Sequence, residues 1–196
     1  MSRIVYVAFG DSITDGYGVS GGFVHHLTRW LKENLPDRNL EVIKSGWSGE
    51  NTRDGLYRVD REVISRDPHI ATINYGVNDA FSGVSVGEFE KNMEEMVTRI
   101  KEGGCLRIVL LSSEVIPDIW AEREVLPYWD AMAKAAEKGG AVYADVNGWW
   151  SRVLSDGRSE HDLIIPGDLH PNAEGHRVIA DAVIDAFEKN RVLEGL

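Results

Sequence analysis

The chain of 196 residues is 43% hydrophobic and 27% charged, with a net charge of −11. That length suits a single domain over residues 1–196 with a sizeable core, and the acidity argues against nucleic acid as a partner. The lone cysteine, Cys105, rules out an intramolecular disulfide. Neither a signal-peptide pattern nor an apolar run of membrane-spanning length is present, so a cytoplasmic protein with no membrane span is expected.

Strand-like and helix-like segments alternate along the chain. Residues 4–9 form an apolar run that reads as a buried first strand. Phe23, Val24, Leu27, Trp30, Leu31 and Leu35 recur at helical spacing, which predicts a helix over 22–35. Residues 40–44 read as the second strand. Leu56, Val59, Val63 and Ile64 mark a second helix face, capped by Asn51 or Thr52 and stopped at Asp67-Pro68. Residues 69–75 give the third strand, and Phe89, Met93, Met96, Val97 and Ile100 the next helix, closed by Gly103-Gly104. Residues 106–112 form the fourth strand, whose unbroken apolar run suits a parallel strand covered on both faces. Residues 117–127 read as irregular and 128–138 as helix. Residues 141–146 form the fifth strand, 147–154 a short helix and 155–169 a loop. The last helix opens at Asn172. This series predicts an α/β fold with a five-stranded parallel sheet and helices on both faces.

In such sheets, ligands sit beyond the C-terminal strand ends. The places to look therefore follow Phe9, Lys44, Tyr75, Ser112 and Val146. Gly10-Asp11-Ser12 follows the first strand, Gly46-Trp47-Ser48-Gly49 the second and Gly76-Val77-Asn78-Asp79 the third. Gly167-Asp168-Leu169-His170-Pro171-Asn172 precedes the last helix. Acyl transfer needs these parts: Ser12 to attack a carbonyl carbon, and His170 to take its proton and return it to the leaving group. The amides of Ser12 and Gly49 and the side chain of Asn78 are candidate donors to the oxyanion.

These four segments resemble the blocks of the GDSL-type, or SGNH, hydrolase family, with Ile13 in place of the usual leucine. The resemblance runs in the right order over nearly the whole chain. It implies a flavodoxin-like three-layer α/β/α sandwich and ester hydrolysis without a cofactor or metal. Carried over residue by residue, it makes Ser12 the nucleophile, Ser12, Gly49 and Asn78 the oxyanion donors, and His170 the base. Two positions depart from the family pattern. Gly167 stands where an aspartate usually orients the histidine, which leaves Asp168 as the favoured carboxylate and Asp162 as a second candidate; a backbone carbonyl in a Ser–His dyad is the third option. Lys44 stands where asparagine is common, which bears on loop packing.

Other signals are weaker. Asp11 reads as a loop-tying residue and Asp79 as structural. Trp47 is a pocket candidate inside the second block, while Trp149 and Trp150 suit packing and Trp120 sits near the strand ends. His25, His26, His69, His161 and His176 lack metal-ligand spacing. Gly16 to Gly21 fits G-x-G-x-x-G but begins too far past the strand for a dinucleotide site. No G-x-S-x-G elbow occurs. The expected function is a serine esterase for small or medium acyl groups, such as acetylated carbohydrate or simple lipid esters. The alternatives are an acyltransferase using the same acyl-enzyme and a non-catalytic binding protein with a decayed triad.

Overall fold

The computed structural model describes residues 2–196. Strand β1 (Arg3–Gly10) is buried at every position after Arg3. Ile4, Tyr6 and Ala8 point into one core, and Val5, Val7 and Phe9 into the other, as the period-two side-chain alternation of a strand requires. Both faces must therefore be covered. β1 pairs with β2 (Asn39–Gly46) on one edge and β3 (Ile70–Asn74) on the other, followed by β4 (Arg107–Leu111) and β5 (Val142–Ala144). All pairings are parallel and the order is β2-β1-β3-β4-β5.

The helices are α1 (Ser12–Asp15), α2 (Phe23–Asn34), α3 (Thr52–Glu62), α4 (Val77–Ser82), α5 (Val86–Glu102), α6 (Ile119–Gly139), α7 (Val146–Ser155) and α8 (Ala173–Lys189). Residues of α3, α5 and α6 fill the core on one side of the sheet, and residues of α2, α7 and α8 fill the other. The result is a three-layer α/β/α sandwich with the flavodoxin-like strand order. β1 and β3 are neighbours from which the chain winds in opposite directions, so a crevice opens beyond their C-terminal ends. Register places Gly10 beside both Gly46 and Asn74, which brings the loops after β1, β2 and β3 to one edge.

Two expectations need correction. Residues 117–127 are not irregular: α6 begins at Ile119, with Pro127 inside it. Proline within a helix costs about 3 kcal/mol, but Val125, Tyr128, Trp129 and Met132 bury along the same helix and outweigh that local preference. The Asp118 side chain caps the start, accepting from the amides of Trp120 and Ala121 at 2.9 Å. Residues 155–169 are likewise more than a loop. They contain a 3₁₀ turn (Glu160–Asp162) and the first arm of a small hairpin, whose Ile164 bridges Pro171. In addition, the loop after β3 becomes a short helix, α4.

Candidate active site

Ser12 is the first residue of α1, directly beyond the end of β1. The turn is held by Asp11, whose Oδ1 accepts from the Ile13 amide at 3.0 Å. Gly16 closes the helix in a left-handed conformation, with its N–H directed to the carbonyls of Ser12 and Ile13. Lys44 joins this turn to β2, with Nζ 3.0 Å from Asp15 Oδ1.

His170, the expected base, stands on the hairpin. The Ile165 amide donates to the His170 carbonyl at 2.9 Å, and the Asn172 amide to the Leu163 carbonyl at 2.8 Å. The tip is a turn, Ile165-Pro166-Gly167-Asp168, closed by the Asp168 amide donating to the Ile165 carbonyl at 3.0 Å. Proline second and glycine third, with Gly167 at φ +79°, is the type II arrangement. An aspartate at 167 would have to adopt that left-handed backbone. The carboxylate instead stands one position later. Asp168 Oδ1 lies 2.6 Å from His170 Nδ1 and also accepts from the amides of Leu169 (2.6 Å) and His170 (3.1 Å). These hydrogen bonds, led by that from the imidazole, hold the Asp168 carboxyl below its usual range. His170 Nε2 lies 2.9 Å from Ser12 Oγ.

Asp162 has other partners. Its Oδ2 accepts from the Ser159 amide at 3.1 Å, which caps the 3₁₀ turn, and its carbonyl accepts from Asn172 Nδ2 at 3.0 Å.

The expected oxyanion donors come from three loops. Asn78 lies in the first turn of α4 and shares a cavity wall with Ser12 and His170. Its Nδ2 donates to the Glu50 carbonyl at 2.9 Å and, over a long 3.4 Å, to Asp11 Oδ2. Gly49 is not among the residues that line the cavity. It occupies the third position of the Trp47–Glu50 turn at φ +82°, and the turn's hydrogen bond is donated by Glu50. The Gly49 N–H therefore stays outside that bond.

Arg58, which the sequence did not single out, fixes this loop. It is 3% exposed. Its guanidinium donates to Glu50 Oε2 (2.5 Å), Ser45 Oγ (2.7 Å), the carbonyls of Gly10 (2.9 Å) and Ser45 (3.1 Å), and the Tyr75 hydroxyl (3.0 Å). Its Cζ sits 4.3 Å from the Phe9 ring centroid. One cation thus ties β1, β2, β3 and the Gly49 turn together. Asp79, fully buried, accepts from the Thr52 amide and hydroxyl and so anchors α4 to the start of α3.

The cavity beside Ser12 measures about 160 Å³ and is walled mainly by Ile13, Val77, Phe81, Ile116 and Leu169. Two buried carboxyls, Asp11 and Glu114, share that wall. Burial pushes Asp11 up to about 8 and Glu114 up to about 7. The Tyr17 ring packs on His170 with centroids 4.4 Å apart. Tyr17 and Glu114 escaped the sequence reading. Glu114 does follow a strand end, but a lone glutamate there carries no motif.

The tryptophans divide. Trp150 is core, and Trp149 packs against it. Trp47 and Trp120 are exposed, and neither lines the cavity. Burial raises the Cys105 thiol to about 11, which suits a packing role. Among the described residues no group of three or more His, Cys, Asp or Glu is placed to hold a metal ion.

Residues 8–178 match the model of the GDSL-like Lipase/Acylhydrolase family. An acetylxylan esterase of Geobacillus stearothermophilus is 24% identical over 199 residues, covering 89% of this chain and 90% of that one. An arylesterase of Vibrio mimicus is 27% identical over 190 residues, covering 94% and 88%. Among solved structures, an alpha/beta hydrolase enzyme from the metagenome of Lake Arreo, Spain, superposes with a TM-score of 0.82 at 28% identity, covering 94% of this chain and 95% of that one. The crystal structure of the Geobacillus acetylxylan esterase also gives 0.82, at 22% identity and 93% coverage of both chains. With these relatives and a family match over most of its length, the chain belongs to the GDSL-like lipase/acylhydrolase family and is a carboxylic-ester hydrolase.

Proposed function

We propose that the protein cleaves esters of small acyl groups through an acyl-enzyme on Ser12, within one domain over residues 1–196. The observation that carries this reading is the continuous chain Asp168–His170–Ser12, with links of 2.6 and 2.9 Å. Ser12 Oγ attacks the ester carbonyl carbon as His170 Nε2 takes its proton. The electron pair moves to the carbonyl oxygen, which meets the amides of Ser12 and Gly49 and one N–H of Asn78. The long 3.4 Å contact of Asn78 with Asp11 is the one to yield, while the bond to the Glu50 carbonyl keeps the amide oriented. His170 then gives the proton to the departing alkoxide. In the second half, His170 takes a proton from water, the hydroxide attacks the acyl carbon, and the proton returns to Ser12. Asp168 keeps the proton on Nδ1 and stabilises the imidazolium in both halves.

A cavity of about 160 Å³ suits an acyl group from acetyl up to the size of a single aromatic ring. The names of the relatives, acetylxylan esterase and arylesterase, point the same way. The alcohol part lies towards His170 and the exposed Tyr17 ring, where it can be released to solvent. Among the described residues no helix is long and apolar enough to cross a membrane. A cytoplasmic location fits the single buried thiol, whereas one relative at 24% identity is an uncharacterized lipoprotein of Bacillus subtilis; cell fractionation decides between the two.

The test is hydrolysis of p-nitrophenyl acetate and butyrate by wild type and Ser12→Ala, with fluorophosphonate labelling mapped by peptide mass. Loss of turnover and of the label in the variant is expected. Retained turnover would remove Ser12 from the mechanism.

A further inference from the structure

Glu114 stands just past β4, 2% exposed, on the wall of the cavity that Ser12 and His170 share. The ester reaction as written gives it no task. Its Oε2 is hydrogen-bonded to Ser113 Oγ. Its loop is pinned by Asn147 Nδ2, which donates to the Glu114 carbonyl at 3.3 Å and to Glu122 Oε1 at 2.9 Å. Glu122 Oε2 in turn accepts from the Ile116 amide at 2.7 Å. The carboxyl is therefore held in place on the cavity wall. Among the described residues no lysine or arginine is paired with it. The titratable groups around it are His170 on the hairpin, Glu122 on α6 and Asp11 ahead of α1. A carboxyl buried among apolar side chains without a cation is costly, and a leucine would fill the space at less expense. Its presence is explained if its partner arrives with the substrate.

We propose that Glu114 sets the acyl specificity, selecting short acyl chains that carry a hydroxyl or ammonium group and rejecting chains that end in a carboxylate. The proposal rests on the reading that Ser12 is acylated in this cavity. A hydroxyl or ammonium adds a donor to a buried carboxyl whose side-chain partner is the Ser113 hydroxyl and which has no cation beside it, whereas a methyl at the same place adds none. A second carboxylate meets a like charge in a desolvated space. Burial, with a smaller push from Glu122, raises this carboxyl to about 7. The charge-based part of the selection therefore strengthens as pH rises through neutrality.

The experiment compares kcat/KM for four phenyl esters of matched length: butanoate, 3-hydroxypropanoate, 3-aminopropanoate and hemisuccinate. Wild type at pH 8 is expected to favour the amino ester over the butanoate by at least about tenfold and to disfavour the hemisuccinate by at least about tenfold. Glu114→Leu should reverse the preference, making the butanoate the best of the four esters. Glu114→Gln should keep the preference for the hydroxy ester and lose the discrimination by charge. Unchanged ratios in Glu114→Leu would overturn the proposal. If neither variant folds, wild type alone decides: its amino-to-butanoate ratio should fall between pH 8 and pH 6, and a flat ratio overturns the proposal. Ser12→Ala is run beside them on all four esters. An inactive Ser12→Ala with flat wild-type ratios defeats the Glu114 proposal alone, whereas an active Ser12→Ala defeats the Ser12 reading beneath it.

Discussion

Replacing Asp168 by asparagine tests the proposed orientation of His170 as base. The carboxylate accepts from His170 Nδ1 at 2.6 Å and from two backbone amides of its own turn. The substituted side chain keeps an oxygen for those amides but removes the charge beside the imidazolium that forms when Ser12 attacks. Two unit charges about 4 Å apart interact by about 4 kcal/mol at an effective dielectric near 20. The side chains of His170 and Asp168 are 29% and 31% exposed, so water screens part of that, leaving about 3 kcal/mol. The expected loss in kcat/KM is then on the order of a hundredfold, less than the roughly 10⁴ for the buried aspartate of serine proteases. The assay is steady-state hydrolysis of p-nitrophenyl acetate by Asp168→Asn beside Asp162→Asn, whose carboxylate caps the 3₁₀ turn instead. Asp162→Asn should stay within a few-fold of wild type. Near-normal activity in Asp168→Asn, or a larger loss in Asp162→Asn, would refute the argument.

Three further outcomes are expected. Asn78→Ala should lower kcat by roughly 10²–10³ with little change in KM, since its N–H is needed only once the oxyanion forms; steady-state kinetics with p-nitrophenyl butyrate checks this. Arg58→Met should destabilise the fold by about 3–5 kcal/mol in urea titration, because Glu50 and the carbonyls of Gly10 and Ser45 lose a buried cation. Glu114→Gln should stabilise the protein at pH 8 and have little effect at pH 4. The folded carboxyl titrates at about 7 against 4.5 when free, so the folded state binds more protons between those values and wild type loses stability as pH rises through them. The difference reaches about 3 kcal/mol by chemical denaturation at the two pH values.

The local residue pattern carries the alternation of strands and helices, and with it the layered fold. Residues 4–9 are apolar without interruption because both faces of β1 are covered, and Phe23, Val24, Leu27 and Leu31 recur at helical spacing because one face of α2 is buried. Ser12, Gly49, Asn78 and His170 stand out in the sequence for a related reason, each in a short motif just past a strand or just ahead of the last helix; the fold brings Ser12, Asn78 and His170 to one cavity, which Gly49 does not line. Contacts between residues far apart in the chain emerge only on folding. Residues up to Pro127 read as irregular, yet the burial of Val125 and Trp129 carries α6 through Pro127. Arg58 carries no motif in the sequence, yet carbonyls from two strands and the hydroxyl of Tyr75, just past a third, converge on it. Which carboxylate touches the His170 ring follows from the hairpin: with Gly167 left-handed in the turn, Asp168, two residues before His170, meets it. Local pattern records which face of an element is buried. It does not record which distant atoms fill the space beyond that face, and at this site those atoms set the electrostatics.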